Sequence, residues 1–257
     1  MKKVLVIPNR ERITEYQNLA NQYGLGFEFN DFFMPALLDD EEKLSEAIKV
    51  YTQLNLPEYT TMHGAFFDVT PCSIDEKIRQ ISRDRIGKSL DVARKLKVKA
   101  VVFHTGYNPF LNIKEFVESW LLSNIAFWDG ILAENPDINI YLENMFETMP
   151  DLLERLAEGL AKHDNFGICL DYSHAVLYGQ NPGHWAMRLG KYIKHIHIND
   201  NDGSSDQHLA WGDGITNRKQ FYEDYATYMP NATVLIETSK YENAVKSLQM
   251  LEKENFL

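Results

Sequence analysis

The sequence has few cysteines, no long apolar run and a shortage of basic residues. Its two cysteines, Cys72 and Cys169, lie far apart and form no CxxC pair, so we expect free thiols in a reducing compartment. No apolar stretch approaches the ~20 residues that cross a bilayer. The apolar run in MKKVLVIPNRERI is also shorter than the core of a secretory signal. The sequence therefore predicts a cytoplasmic protein with no membrane association.

The charge balance is acidic. Lysine and arginine number 26 against 37 aspartates and glutamates, which gives a formal net charge of −11. Phosphate contacts supply most nonspecific binding to nucleic acids, so an acidic chain suits DNA or RNA only where it carries a local basic patch. Hydrophobic residues make up 44% of the chain and charged residues 25%, as in ordinary globular proteins. The composition thus disfavours a nucleic-acid partner without excluding one.

Eight short runs rich in β-branched and aromatic residues alternate with longer segments of helical periodicity. The candidate strands are residues 3–8, 25–30, 59–64, 100–106, 138–144, 166–171, 193–199 and 233–239. The clearest helical segments are residues 40–54, 73–96, 112–132 and 241–254. Strict alternation of this kind predicts parallel strands that are joined by helical crossovers.

Two folds satisfy this alternation, a (β/α)8 barrel and a doubly wound open sheet. Eight units in about 250 residues is the usual size of a barrel. A doubly wound fold that binds a dinucleotide would favour a glycine-rich loop after the first strand, and PNRERITEY contains no glycine. No linker, composition shift or low-complexity tract divides the chain. We therefore predict a single TIM-barrel domain over residues 1–257.

Titratable side chains collect at the predicted carboxyl ends of strands three to eight. They are His63, His104, Glu143, Asp171, His174, His197, Asp206, His208 and Glu237. Five of the eight histidines of the protein belong to this set. In a TIM barrel, the carboxyl ends of the strands carry the catalytic groups. Each residue alone has an ordinary structural explanation, but their convergence at one end predicts a functional site.

Two members of the set, Glu143 and Glu237, indicate a bound metal ion. Both follow apolar residues within strands, where an unpaired buried carboxylate would cost several kcal/mol. The neighbouring strand ends offer no lysine or arginine to neutralise them. A divalent cation would do so, and imidazole together with carboxylate suits zinc, manganese, iron or cobalt.

A series of motifs resembles the landmarks of the xylose isomerase-like TIM-barrel superfamily. They are MHGAFFD, FHTG, YLEN, CLDYSHA, HIHINDNDGSSDQH, GDG and IET. The resemblance runs in order from about residue 59 to residue 239 and includes paired DxxH and DxH motifs. That superfamily contains sugar isomerases and epimerases together with the endonuclease IV family. The motifs are therefore specific for the superfamily and less specific for the reaction.

The resemblance implies two alternative metal centres. In relatives of endonuclease IV, three zinc ions would be held, the first by His63, His104 and Glu143. Glu143 would bridge to a second ion, completed by Asp171, His197 and Glu237. The third would be held by His174, Asp206 and His208. In epimerase and isomerase relatives, a single divalent ion would be held by Glu143, Asp171, His197 and Glu237, and the two glutamates would also act as acid and base.

The loops at the predicted active face help to choose between these reactions. The loops after strands two to six contain no lysine or arginine, whereas aromatic residues are plentiful. A surface that follows a DNA backbone carries many basic residues. Aromatic rings, by contrast, pack well on the C–H faces of sugars. Phe66, Tyr107 and Trp211 are accordingly the candidates for contact with a substrate.

The sequence therefore predicts a metal-dependent isomerase or epimerase of an unphosphorylated or lightly charged sugar, polyol or keto-acid derivative. Glu143 and Glu237 would transfer a proton through an enediolate at a divalent zinc, manganese or cobalt ion, with one to three ions per chain. The alternatives are an endonuclease IV-type trizinc phosphodiesterase that cleaves abasic DNA, and a metal-binding barrel without catalysis. The apolar loop FFMPALL fits either a lid or a subunit contact, so a homo-oligomer stays open.

Overall fold

The protein forms a closed barrel of eight parallel strands, in a computed structural model that describes residues 3–179 and 181–257. The strands are β1 (Val4–Val6), β2 (Gly26–Phe29), β3 (Thr60–His63), β4 (Ala100–His104), β5 (Asn139–Glu143), β6 (Phe166–Asp171), β7 (Ile193–Ile198) and β8 (Thr233–Ile236). They are hydrogen-bonded in chain order, and β8 pairs with β1. This closure confirms the predicted TIM barrel and excludes the open sheet.

Helices cover the outside of the barrel. In the described residues they are α1 (Ile13–Tyr23), α2 (Pro35–Leu38), α3 (Glu41–Thr52), α4 (Glu76–Leu96), α5 (Lys114–Glu134), α6 (Asp151–Leu160), α7 (Tyr172–Leu177), α8 (Pro182–Leu189), α9 (Arg218–Tyr228) and α10 (Tyr241–Lys253). The four helices predicted from periodicity are α3, α4, α5 and α10, and each predicted strand contains an observed one. None of the helices described is both long enough and apolar enough to cross a membrane.

Side chains in the strands alternate between two environments. Successive residues of a strand point to opposite faces, so residues two apart share a face. On β5, Ile140 and Leu142 belong to the large apolar core that also contains buried helix residues. Tyr141 instead belongs to a separate small cluster inside the barrel, with Ala100, Val102 and Cys169. The inward row, which lines the lumen of the barrel, therefore leads along β5 from Tyr141 to Glu143.

The pairing of β6 with β7 contains an irregularity that affects the lumen. Ile168 lies opposite Ile193, but Cys169 lies opposite His195, so the register shifts by one residue at Lys194. Lys194 is exposed, while the residues that follow it on β7 are buried. A bulge of this kind re-aims the side chains beyond it. Beyond it, both His195 and His197 contact residues of the lumen.

Candidate metal centre

The ends of the strands bring the predicted site residues to one end of the barrel, which we call the mouth. The last residues of β3, β4, β5 and β6 are His63, His104, Glu143 and Asp171. His197 is the penultimate residue of β7, and Glu237 directly follows β8. His174 lies on α7, immediately after β6, and the loop between β7 and α9 carries Asp206 and His208. Because all strands are parallel, their carboxyl ends converge.

A central cluster consists of Glu143, Asp171, His197 and Glu237. One ligand atom of each residue lies within 4.8 Å of the others, and all four side chains are buried. Nδ1 of His197 lies 3.5 Å from Oε1 of Glu143 and 3.4 Å from Oε2 of Glu237. That nitrogen and one oxygen of each carboxylate have no hydrogen-bond partner in the described part of the chain. Since buried polar atoms are normally satisfied, this set fits a divalent cation.

The electrostatics of the cluster also fit a cation. Burial, together with the charges of Glu237 and Glu143, raises the pKa of Asp171 to about 8 although His174 opposes the shift. Burial would also raise the pKa of Glu143, but His197 and His63 hold it well below its ordinary value. Three carboxylates therefore compete for the positive charge of nearby imidazoles, and a divalent ion would relieve that competition.

A second cluster shares Glu143 with the first. Ligand atoms of His63, His104 and Glu143 lie within 4.8 Å of one another. Nε2 of His63 is 3.4 Å from Oε2 of Glu143, and Nε2 of His104 is 3.7 Å from the same oxygen. Burial lowers the pKa of His104 to about 3, which keeps this imidazole neutral. A neutral imidazole is the form that binds metals, so the arrangement could hold a second ion beside the first.

The third predicted group, His174, Asp206 and His208, also lies together. Oδ2 of Asp206 is 3.2 Å from Nε2 of His174 and 2.9 Å from Nε2 of His208. Burial would lower the pKa of His208, but Glu237 and Asp206 raise it to about 9. His208 has a positive φ of 49°. Backbone strain of this kind is common at functional sites, where surrounding contacts maintain it.

Asp200 holds the loop that carries Asp206 and His208. Its carboxylate accepts hydrogen bonds from the backbone N–H groups of Gly212 and Thr216, each at 3.0 Å. Its backbone pairs with that of Leu209. Asp200 is fully buried, so the loop is fastened from inside and its ligand-bearing segment is held at the mouth.

The mouth contains a cavity of about 430 Å³. Its walls include Ile7, Pro8, Asn9, Asn30, Asp31, Phe33, His63, Phe66, His104, Glu143, Met145, His174, Asp206, His208, Glu237 and Ser239. None of the described wall residues is a lysine or an arginine. Glu143 and Glu237 reach the cavity, whereas Asp171 and His197 are not among its wall residues. The two glutamates are thus the members of the central cluster that a substrate would meet.

The three aromatic residues predicted to contact a substrate occupy different places. Phe66 forms part of the cavity wall and stacks on His104, with ring centroids 4.7 Å apart. Tyr107 packs edge-on against Trp120 and is not part of that wall. Trp211 lies in the core instead, fully buried, and its Nε1 donates a hydrogen bond to the hydroxyl of Tyr222 at 3.2 Å. Core packing therefore accounts for Trp211.

Two lumen residues were missed by the sequence analysis, Glu28 and His195. Oε2 of Glu28 accepts hydrogen bonds from Oγ1 of Thr61 at 2.7 Å and from Nε2 of His195 at 3.0 Å. Burial would raise the pKa of Glu28, but His197 and His195 lower it below its ordinary range. The available signals were a single glutamate in the apolar strand GFEF and the alternation of histidines in KHIHI.

Comparisons with known proteins give a family for this chain. The model of the xylose isomerase-like TIM barrel family matches residues 19–254. The uncharacterized protein MJ1311 of Methanocaldococcus jannaschii is 32% identical over 204 residues, which cover 75% of this chain and 68% of that protein.

Two solved structures share the fold. The TTHB071 protein of Thermus thermophilus, in crystals soaked with ZnCl2, has a TM-score of 0.78 and 23% identity over 98% of this chain and 97% of its own. A D-tagatose 3-epimerase-like protein has a TM-score of 0.77 and 24% identity over 100% and 98%. The match to the family model spans most of the chain and agrees with the closed barrel. The chain therefore belongs to the xylose isomerase-like TIM barrel family.

Proposed function

We propose that this protein is a metal-dependent isomerase or epimerase that acts on an unphosphorylated sugar or a related hydroxy-carbonyl compound. The observation that carries the proposal is a buried four-ligand cluster at the base of a cavity whose described walls contain no lysine or arginine. A phosphorylated substrate would call for basic groups there. The shared fold of the D-tagatose 3-epimerase-like protein supports the same class of reaction.

The residues divide into holding and reacting groups. Glu143, Asp171, His197 and Glu237 would hold the ion, which would supply Lewis-acid polarisation of the substrate carbonyl. Glu143 and Glu237 also reach the cavity. One of them would take the proton from the carbon beside the carbonyl and the other would return a proton to the substrate, so the reaction is redox-neutral overall.

Other wall residues would bind and orient the substrate. Phe66 offers a flat apolar face at the cavity wall, suited to the C–H face of a sugar ring or chain. His63, His104 and His208 offer ring nitrogens to hydroxyl groups in the same cavity. A second ion at His63, His104 and Glu143 would replace part of this hydroxyl binding.

Proton exchange in heavy water tests the proposal. Metal-loaded protein is incubated with a panel of unphosphorylated ketoses and aldoses, and deuterium at the carbon beside the carbonyl is followed by NMR. We expect incorporation with at least one sugar and its loss in Glu237→Gln, which keeps the shape of the side chain. The phosphate esters of the same sugars serve as a matched control. No exchange with any member of the panel would contradict the proposal.

A trizinc phosphodiesterase is the second candidate function. The observation that favours it is that all three predicted ligand groups lie together at the mouth. Glu143 belongs to the first two groups, and Nδ1 of His174 in the third lies 3.5 Å from Oδ2 of Asp171. The lack of basic side chains in the described cavity walls weighs against DNA. Three zinc ions per chain by elemental mass spectrometry, with nicking of an abasic duplex, would establish this function in place of the isomerase.

A further inference from the structure

The lumen below the metal centre contains a carboxylate that the proposed reaction does not use. Glu28 lies on β2, fully buried, and its Oε2 is occupied by Thr61 and His195 at 2.7 and 3.0 Å. Its other oxygen, Oε1, lies 3.2 Å from Nε2 of His197, and neither of these two atoms makes a hydrogen bond in the described chain. A buried carboxylate is costly, and this one directs its free oxygen at a predicted metal ligand.

His197 has carboxylates on both sides of its ring. Nδ1 faces Glu143 and Glu237 at 3.5 and 3.4 Å, while Nε2 faces Glu28. A neutral imidazole carries one ring proton, and a carboxylate beside one nitrogen keeps the proton on that nitrogen. With the proton on Nε2, the lone pair of Nδ1 is free to bind an ion. The opposite tautomer would direct an N–H group at the centre and place the lone pair of Nε2 against Oε1 of Glu28, 3.2 Å away.

We propose that Glu28 is a positioning residue of the metal centre, whose carboxylate fixes the ring orientation and tautomer of His197 so that Nδ1 faces the ion. Metal-binding histidines commonly donate their other ring N–H to a carboxylate, which orients the ring and strengthens it as a ligand. Glu28 does not reach the cavity wall, so it contributes through His197 rather than by contact with a substrate. This inference rests on the metal centre of the proposed function.

Cobalt(II) binding to the metal-free full-length protein tests the inference without any substrate. The titration is followed by the visible absorption of the bound ion, which reports both affinity and ligand geometry. In Glu28→Gln, the side-chain amide oxygen can still accept the hydrogen bonds from Thr61 and His195, but the NH2 group would then face Nε2 of His197. Two donors cannot pair, so the ring must rotate or change tautomer.

We expect Glu28→Gln to weaken cobalt binding about 10- to 100-fold and to change the absorption bands. Glu28→Asp keeps the charge but draws the carboxylate back from His197, so a smaller loss is expected. Thr233→Val is the matched control, because it removes the 2.5 Å contact between Oγ1 of Thr233 and Nδ1 of His195 in the same buried network without touching His197. Its affinity and spectrum should remain those of the wild type.

The outcomes separate this inference from the proposed function. Wild-type affinity and spectrum in Glu28→Gln would overturn the role of Glu28 and leave the metal centre standing. An equal loss in Thr233→Val would also overturn it, because the effect would then be general to the lumen. A wild-type protein that binds no cobalt would remove the metal centre and this inference together. Should Glu28→Gln not fold, Glu28→Asp decides, and wild-type affinity there overturns the inference.

Discussion

The two faces of the same barrel strands differ in almost every physical property. On β5, Leu142 points outward into the large apolar core, and its neighbour Glu143 points into the lumen among imidazoles and carboxylates. On β7, Ile196 and His197 differ in the same way. Both faces are buried, so burial alone does not distinguish them. The difference lies in whether burial lowers or raises the free energy of the folded chain.

The outward face stabilises the fold, whereas the burial of charged groups in the lumen destabilises it. Apolar burial is worth roughly 25 cal/mol per Å², and the outward row is continuous with the buried faces of the helices. In the lumen, by contrast, Glu143, Asp171 and Glu237 have imidazole neighbours but no lysine or arginine partner among the described residues, and burying such charges costs free energy. TIM barrels usually fill this space with branched apolar side chains. The contrast teaches that the buried titratable groups of the strands are concentrated in the inward row.

The largest effect on catalysis is expected from a lumen residue that belongs to both clusters of candidate metal ligands. Glu143→Gln removes the charge that connects them and one of the two groups that would move a proton. We expect proton exchange in heavy water to fall about 10²- to 10⁴-fold, the usual contribution of a general acid or base. Bound metal, measured by elemental mass spectrometry, should fall as well. Full exchange activity in this variant would show that the reacting groups lie elsewhere.

The adjacent outward residue should show the opposite behaviour. Leu142 is fully buried in the outer core, so Leu142→Ala is expected to lower the free energy of unfolding by about 2–5 kcal/mol. Urea denaturation of the metal-free protein measures this directly. Metal content and exchange rate should be unchanged below the unfolding transition. A loss of metal comparable to that of Glu143→Gln would break the division between the two faces.

Metal binding should stabilise the fold through the lumen alone. At a free metal concentration of 100 times Kd, linkage predicts a gain of about 2.7 kcal/mol in the free energy of unfolding. Asp171→Asn should abolish this gain, while its metal-free form is expected to be no less stable than the wild type. The reason is that burial, together with the charges of Glu237 and Glu143, raises the pKa of Asp171 to about 8, so its charge is unfavourable there.

The measurement is thermal unfolding with and without the metal or a chelator. The amide introduced by Asp171→Asn would keep an oxygen to accept the 2.7 Å hydrogen bond from the backbone N–H of His174, so the start of α7 is preserved. Equal stabilisation of the wild type and Asp171→Asn by metal would place the ion outside the central cluster.

Much of the barrel was predictable from the sequence because alternation and periodicity are local. The runs around Val101, Ile140 and Ile168 are apolar on consecutive residues, as strands buried on both faces are, and each contains an observed strand. The residues at the strand ends could be grouped because parallel strands end at the same face. That grouping required no knowledge of side-chain direction.

The lower part of the lumen was not predictable in the same way. Glu28 stands alone between Phe27 and Phe29, and its partners lie on β3 and β7, brought close only when the barrel closes. His195 faces inward beyond the register shift at Lys194, which depends on the pairing of two strands. Such contacts are nonlocal, and a single sequence does not record them.

The smallest predicted effect separates an aromatic residue of the core from one of the cavity. The rings of Trp211 and Phe221 have centroids 5.2 Å apart. Trp211→Phe removes the hydrogen bond to Tyr222 and some of this packing, and should lower the free energy of unfolding by about 1 kcal/mol. It should leave the KM for the sugar substrate unchanged, because Trp211 does not reach the cavity. Phe66→Leu should raise KM instead, since a wall residue that stacks on His104 loses its ring. If KM rises in Trp211→Phe and not in Phe66→Leu, the cavity at the mouth is not the active site.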